Sequence, residues 1–598
     1  MSRLSKFRNT LKGLTSAVTR FPLTAVFLLA AAIVNAMDIQ SGNDDLAKYF
    51  LALITGAFLG VVAQMTYERF FDKRFSCVAL NAVAAILTLG YYLIISPAPE
   101  LSTEITVRTI VAIFALFIAF IWIPSVKSRT SFNESFMVAF KAFFISIFFA
   151  GIIFAGTSLI LGATNILLFE VESKAYTHTM NIVFVLFAPV YFLSLIPVYF
   201  GKSDDAASDE ALESKEDNIS KMSNCPKYLE ILISYIIIPL TAVFTAILAI
   251  YIVLNVGRAF WADNLLEPML VSYSITVILV YILASRLENK FAQFFRKIFP
   301  KVLIPIVVFQ TIASVMKIGD TGIIHSRYYV ILFGIFATIA GILFSFMPIR
   351  RNGIVACILI ILSLISIVPP VDAFTVSRSN QIAILRKTLE RNNMLEGNTI
   401  KPGPSIPKEE KERIADTLGY LNRMEYIDRI PFIPDDFNYY SDFEKIFGFD
   451  PYGMDTETPK FIYLRLAENT IISIAGYDSM TSASINILRN REDEEIIGTI
   501  AKSGKNYTLK KRYTANDNIM VLTGEDGKDV IGFSAKRIFD AFEEGQYDVK
   551  DMITLEEATF TEENENAAMT VVVQTLNMEK SSPVGYFDAN VYILVKIK

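Results

Sequence analysis

The sequence predicts an α-helical polytopic membrane bundle of about eleven spans, joined to a C-terminal soluble α+β domain rich in antiparallel strands. Three observations predict it. Apolar stretches long enough to cross a bilayer recur through residues 1–370 and then stop. Lys and Arg gather in alternate loops between those stretches. Beyond Pro369-Pro370 the apolar residues fall into short helical and strand-like patterns instead.

A hydrocarbon core about 30 Å thick takes about 20 apolar residues per helix. Such segments lie near 22–37, 47–66, 75–96, 106–124, 134–161, 180–200, 228–255, 266–285, 298–316, 328–347 and 353–369. Helices are the spanning form, because backbone polar groups in lipid must be satisfied within the segment. A mean hydropathy of +0.44 over a chain that includes a polar tail makes the first part more apolar still.

The basic start, with Arg3, Lys6, Arg8, Lys12 and Arg20, shares a side with Arg69, Lys73, Arg74, Lys127 and Arg129. Arg286, Lys290, Arg296, Lys297, Arg350 and Arg351 follow on that side. The opposite side carries few bases: Lys48, Arg108, Lys174, Arg258, Lys317 and Arg327. Excess Lys and Arg marks the cytoplasmic face. An odd number of spans then places the C-terminal part outside the cytoplasm. Basic residues ahead of an apolar run, with Val34-Asn35-Ala36, also resemble a cleavable signal. The reading adopted is an uncleaved first span, and either outcome leaves Asp38 outside.

Segment 201–227 is acidic, with Asp204, Asp205, Asp209, Glu210, Glu213, Glu216 and Asp217, and reads as a mobile cytoplasmic linker. It could divide the membrane domain, 1–370, into halves 1–200 and 228–370. A helical collar is expected over 371–450, from apolar spacing at 375–394 and 407–425. A β-rich extracytoplasmic domain is expected over 451–598. Its strands are read at 461–466, 470–474, 484–488, 519–522, 529–533, 569–573 and 591–595, with a helix near 534–545. Asp526-Gly527 signals a hairpin.

Composition excludes several function classes. The net charge of −5 divides into roughly +6 for residues 1–370 and roughly −11 for 371–598. An acidic tail repels nucleic acid, so no nucleic-acid partner is expected. The three cysteines, Cys77, Cys225 and Cys357, and the two histidines, His178 and His325, are widely spaced. No cofactor and no metal site is expected from them.

Candidate residues are few. Charges deep in a span would mark an ion path, and Lys141 is the main one, close enough to a span end to snorkel. Gln64, Asn81, Asn181 and Gln310 read as interhelical hydrogen-bonding groups. Pro189, Pro197, Pro239 and Pro305 are ordinary membrane-helix prolines or marks of broken helices. Asp38, Asp44 and Asp45 form an acidic outer loop, reminiscent of lipid-linked-sugar glycosyltransferases. Glu170, Glu172 and His178 are a loose metal-ligand pattern, more simply a solvated loop. Ser503-Gly504-Lys505 lacks the spacing of a phosphate loop. Lys505, Lys510, Lys511 and Arg512, with Tyr507 and Tyr513, read as a charged edge strand or a binding strip. Trp122, Tyr251, Trp261, Tyr328 and Tyr329 read as interfacial anchors.

The turn at Gly319, Gly322, Arg327, Tyr328 and Tyr329 is the strongest candidate for function. Glycines there permit a tight backbone ahead of a span, and Arg327 stands at a helix entrance. Gly322-Ile-Ile-His-Ser-Arg-Tyr-Tyr-Val330, Phe374-Thr-Val-Ser-Arg-Ser-Asn-Gln381 and Leu385-Arg-Lys-Thr-Leu-Glu-Arg-Asn-Asn-Met-Leu-Glu-Gly397 together resemble the bacterial membrane family called domain of unknown function 4153. The likeness covers roughly residues 20–450. It implies a bacterial multi-span protein of the cell membrane and no reaction, so no catalytic residue is carried over.

The expected role is an integral membrane protein that presents its outer domain for envelope assembly, sensing or partner binding. Membrane lipid is an expected partner, and so is another envelope protein or a second copy. The alternative is a transporter of a neutral or lipid-like solute, and an envelope glycosyltransferase stands third.

Overall fold

The computed structural model describes residues 13–42, 46–98, 101–255, 266–434, 436–451, 460–467, 469–486, 493–514, 517–544, 552–580 and 587–598. Two compact units divide the chain, Met1–Pro451 and Tyr452–Lys598.

Among the described residues of the first unit, eleven helices are long and apolar enough to cross a membrane. They are Pro22–Ser41, Ala47–Phe70, Arg74–Ile95, Thr103–Ser125, Phe132–Leu167, Lys174–Ser194, Lys227–Leu254, Glu267–Arg286, Lys290–Met316, His325–Phe346 and Ile349–Ile367. The ninth begins well before the expected 298. Lys290, Arg296 and Lys297 therefore lie on helical turns rather than in a loop, and Pro300 and Pro305 sit inside the helix. In the sixth and seventh spans a proline follows a short π-helical stretch, Ile182–Phe187 before Pro189 and Leu232–Ile237 before Pro239. A wider turn absorbs the missing N–H and the ring's clash with the preceding turn.

Contacts between the span ends sort by parity. At the end that precedes the first span and follows every even one, Arg20 pairs with Glu68 at 2.7 Å, and Arg286 with Glu134 at 3.2 Å. Asn352 meets Asn133 there at 3.2 Å, and Arg69 donates to the Val126 carbonyl at 2.8 Å. At the other end Lys174 donates to the Gln40 carbonyl at 2.9 Å, and Arg108 pairs with Asp372 at 2.6 Å. Each contact joins segments that an alternating path brings to one end.

Segment 201–227 is not a mobile linker. It forms a turn of 3-10 helix, Lys202–Ala206, and the α-helix Asp209–Ser223. Ile219 is 3% exposed, and Leu212 and Met222 pack on the same core. Lys215 pairs with Asp204 at 2.7 Å, and Lys221 with Asp217 at 2.5 Å. Glu216 pairs with Arg129 outside the segment at 3.6 Å, and one helix face carries the apolar residues that dock it.

After the eleventh span, Asp372 caps the helix Ala373–Arg391, which buries Phe374, Leu385 and Leu389. Lys408–Arg423 buries Ile414, Leu418 and Leu421. Tyr439–Phe447 sets Phe443 and Phe447 into an aromatic cluster with Phe449. A short hairpin between the first two helices pairs β1 (Leu395–Glu396) with β2 (Thr399–Ile400).

The second unit holds β3 (Lys460–Leu466), β4 (Ser479–Asn486), β5 (Glu494–Lys502), β6 (Lys505–Thr514), β7 (Asp517–Thr523), β8 (Asp529–Ser534), β9 (Met552–Ile553), β10 (Thr559–Glu563), β11 (Ala567–Lys580) and β12 (Phe587–Ile597). One sheet runs β4-β12-β11-β3-β9, with β10 also on β11, and the other runs β5-β6-β7-β8. All pairs are antiparallel except β3 with β9. The helix Lys536–Glu544 adds Ile538, Phe539 and Phe542 to their shared core.

Two strand expectations fail. Residues 470–474 form no strand: Ile471 is 88% exposed and Ile474 57%. The backbone turns at Asn469 (φ 60°) and Gly476 (φ 89°), which leaves the β-branched run without a partner. The basic strip is not an edge either, because β6 pairs with β5 on one side and β7 on the other.

Candidate functional site

The turn before the tenth span is built around one glycine. Ile318–Thr321 makes a single helical turn that ends at Gly322, with φ 73° and ψ −172°. That backbone region is accessible essentially to glycine alone. A Cβ at Gly322 would run into the Ile384 side chain and stand 2.7 Å from Gln381 Nε2.

The helix Ala373–Arg391 occupies the space that this missing side chain leaves. Asn380 and Gln381 bind the turn's backbone from there. Gln381 Nε2 donates to the Thr321 carbonyl at 2.9 Å and to the Ile323 carbonyl at 3.3 Å. Arg327 Nη1 donates back to the carbonyls of Lys317 at 3.0 Å and Gly322 at 3.3 Å, and meets Thr321 Oγ1. A cation over the last carbonyls of a short helix satisfies acceptors that have no helical partner. Gly319 plays a lesser part: its carbonyl accepts from Arg413 at 3.0 Å, and a Cβ there would meet open space.

His325 opens the tenth span. Its ring stacks on Phe374, centroids 5.3 Å apart, and its Nδ1 lies 3.1 Å from the Tyr420 hydroxyl. Tyr420 in turn donates to Ser377 Oγ at 3.1 Å. Tyr328 donates to the Val371 carbonyl at 2.7 Å, and Tyr329 to the Ser366 carbonyl at 3.4 Å. Both tyrosines thus tie the tenth span to the end of the eleventh.

A charged group lies beside this turn. Asp372 is fully buried. Its Oδ1 accepts the N–H groups of Phe374 and Thr375 at 3.0 and 3.1 Å, and Arg108 Nη2 at 2.6 Å. Burial works against the charge, but the hydrogen bonds from Thr375 and Arg108 outweigh it and hold the carboxyl below its ordinary value. Arg108 also pairs with Glu104 at 2.8 Å, and its guanidinium lies 5.6 Å from the Phe374 ring centroid. Glu104 accepts the Tyr426 hydroxyl at 2.7 Å. Burial, then the Glu104 carboxylate, raise the Tyr426 phenol far above its usual range, so it stays a donor. One atom of each central ion, Arg108 Nε and Asp372 Oδ2, is buried with no hydrogen-bond partner. The arrangement is a clasp between the starts of two spans and the helices that follow the last one.

The other candidates do not converge on it. Asp38 lies in the last turn of the first span, and its Oδ1 accepts the Leu46 N–H at 3.2 Å. Asp44 and Asp45 lie outside the described residues, as do Arg3, Lys6, Arg8, Lys12, Arg258 and Trp261. Among the described residues no group of three His, Cys, Asp or Glu gathers as for a metal, Glu170, Glu172 and His178 included. Ser503 and Gly504, at φ 52° and 76°, are the two turn residues of the β5–β6 hairpin. The bases beyond them meet acids: Lys510 pairs with Glu494 at 2.7 Å, Lys511 with Glu495 at 3.2 Å, and Arg512 with Asp529 at 2.7 Å.

Inside the bundle, Asn181 bonds across helices to the Ala32 carbonyl at 2.7 Å, and Lys141 reaches the loop carbonyl of Asn224 at 2.7 Å. Gln64 bonds Glu68 of its own helix at 3.0 Å and accepts weakly from Cys77 of the next. Asn81 bonds instead to the Cys77 carbonyl one turn back. Gln310 has both amide atoms buried without a partner. The interhelical expectation holds for Asn181 and, through Cys77, for Gln64. It fails for Asn81 and Gln310.

Sequence reasoning missed Asp372, Glu104, Tyr420 and Tyr426, and placed Arg108 among loop bases. Asp372 carried a usable signal, an acid directly before a helical pattern. Nothing local links it to Arg108, 264 residues away.

A family model described as "Domain of unknown function (DUF4153)" matches residues 23–395. No curated protein and no solved structure matches. The matched range takes in the Gly322 turn and the whole of the helix Ala373–Arg391 that clasps it.

Proposed function

The chain belongs to the DUF4153 family, and from that premise we propose that it is a bacterial multi-pass membrane protein that presents residues 452–598 outside the cytoplasm to bind a partner in the envelope. The observation that carries this reading is the sorting of contacts by parity. Eleven span-capable helices, with end contacts that never mix odd and even loops among those described above, support a path whose last span ends opposite its first residue. The Arg20 end also holds Arg69, Lys73, Arg74, Lys127, Arg129, Arg286, Arg350 and Arg351. The Asp372 end holds Lys48, Arg108, Lys174, Lys317 and Arg327. That imbalance supports a cytoplasmic Arg20 end.

A binding role, in assembly or sensing, is supported by the state of the clasp. Arg108 is held by Asp372 and Glu104, and Glu104 by the Tyr426 hydroxyl, as suits a joint that holds the helices after the last span at a fixed place. The test is labelling of intact cells with a membrane-impermeant maleimide, in a variant whose native cysteines are serine. Asp526→Cys, at an exposed hairpin, is expected to label, and Glu213→Cys, on the helix between the sixth and seventh spans, is not. The reverse pattern would overturn the orientation.

A further inference from the structure

We propose that a groove in the side of the bundle, between the fourth and fifth spans, holds one acyl chain of a membrane phospholipid. This goes beyond the reading above and does not depend on which end faces the cytoplasm.

The groove encloses about 500 Å³. Its inner wall is buried: Thr24 is 2% exposed, Ala57 3%, Phe120 3% and Ala188 6%. Its two lips are open. Ile110 and Phe114 on the fourth span are 60% and 44% exposed, and Phe143 and Ile147 on the fifth are 46% and 42%. All four lie within membrane-spanning helices, so what reaches the opening is lipid. Among the described residues no Asp, Glu, Lys or Arg lines the space. An apolar cavity of this kind does not hold water well, because a buried water needs two or more polar partners.

Its length suits one leaflet. The lining runs from Ile110 to Phe120 along the fourth span, about 15 Å at the helical rise. That is about half the hydrocarbon thickness of a bilayer. On the opposite wall the sixth span departs from α-helical geometry at Ile182–Phe187 and brings Phe184 and then Pro189 to the groove. Such wide turns recur at functional sites.

One polar atom inside is unused. Ser146 is 2% exposed, lines the groove, and its hydroxyl has no partner. Helical hydroxyls ordinarily bond the carbonyl four residues back. Thr157 and Thr164 of the same helix do so, at 2.8 and 2.9 Å, whereas Ser158, away from the groove, also lacks a partner. Ser146 lies about 7.5 Å along the helix from Lys141, whose ammonium meets loop carbonyls at the bundle's end. That depth suits the ester group of a phospholipid, whose carbonyl oxygen accepts the Ser146 proton while the acyl chain fills the groove.

The experiment uses the full chain in nanodiscs that contain phosphatidylethanolamine with a diazirine in one acyl chain. After illumination, labelled peptides are mapped by mass spectrometry. Label is expected on the buried wall, at Thr24, Ser146 and Ala188. In Ile147→Trp, where an indole blocks the mouth, wall label falls by roughly tenfold, equivalent to about 1.4 kcal/mol. Label at exposed Ile160 of the same helix stays unchanged and reports an intact fold. Ile110→Trp, on the other lip, repeats the loss. A wall left unlabelled in the unmodified protein overturns the proposal. So does wall label that both lip variants leave intact.

Discussion

The side-chain oxygen of Asn380 accepts the backbone N–H of Ile323 at 2.7 Å. Ile323 follows the glycine at which the chain turns into the tenth span, and Asn380 lies on the helix after the eleventh. The bond joins two segments 57 residues apart that both lie within the range the family model matches. Gln381, the next residue, brackets the same turn by donating to carbonyls on either side of Gly322. The two segments therefore form one joint in two halves.

Gly322→Ala is expected to lower the thermal midpoint of the detergent-solubilised protein. The backbone conformation alone costs a non-glycine residue about 1–3 kcal/mol. The overlap with Ile384 and Gln381 adds to that. Gly319→Ala is the matched control: open space surrounds it in a helical turn, and alanine there is neutral or gains about 0.5 kcal/mol. Equal midpoints for the two variants would sink the account of the turn.

Asp372→Asn keeps the helix cap, since Asn caps as well as Asp, and removes only the charge facing Arg108. Breaking a buried pair costs about 3–5 kcal/mol. The low end applies, because Arg108 is partly exposed and keeps Glu104. The pH dependence follows from the sign of the shift. The folded carboxyl titrates below its ordinary value, so its contribution is full above about pH 4 and is lost as pH falls through the lowered pKa. The unmodified protein should lose stability with acid in that window, and Asp372→Asn should lack this component. A flat acid profile in both would refute it.

The spans were legible because hydropathy is local: each helix announces itself within its own 20 or so residues. The Gly322 turn was legible because glycine and the residues near it form a continuous pattern. What failed was whatever depends on a distant partner. Lys510 and Arg512 look like an exposed edge until Glu494 and Asp529 are set beside them. The acidic helix Asp209–Ser223 looks soluble until Ile219 is seen docked. Residues 470–474 have strand composition, but ladder hydrogen bonds need a neighbour, and none reaches them among the described residues.

Arg512→Ala should cost less than about 1 kcal/mol, although the side chain pairs with both Asp529 and Glu494. These partners are exposed, and water and salt screen them. The midpoint of the unmodified protein should change little between low and high salt on account of this pair. A loss comparable to that of Asp372→Asn would show that the strip on β6 matters more than its exposure allows.

The Arg20–Glu68 pair provides the opposite case. Arg20 donates from Nε and Nη2 to the two Glu68 oxygens at 2.8 and 2.7 Å, and adds the carbonyls of Ile196 at 2.6 Å and Pro197 at 3.1 Å. Both side chains are mostly buried. A lysine offers a point charge where the planar fork makes four bonds, so Arg20→Lys is expected to destabilise despite its conserved charge. Glu68→Gln should cost about 3–5 kcal/mol, because it leaves the guanidinium desolvated and unpaired. The double variant Arg20→Met with Glu68→Leu removes both charges, and should be more stable than Glu68→Gln alone. Thermal midpoints of the four proteins in one detergent decide it. If the double variant loses as much as the sum of the single changes, the pair holds the three segments together by its charge. If it recovers, the pair fixes where they meet, and apolar packing supplies the stability.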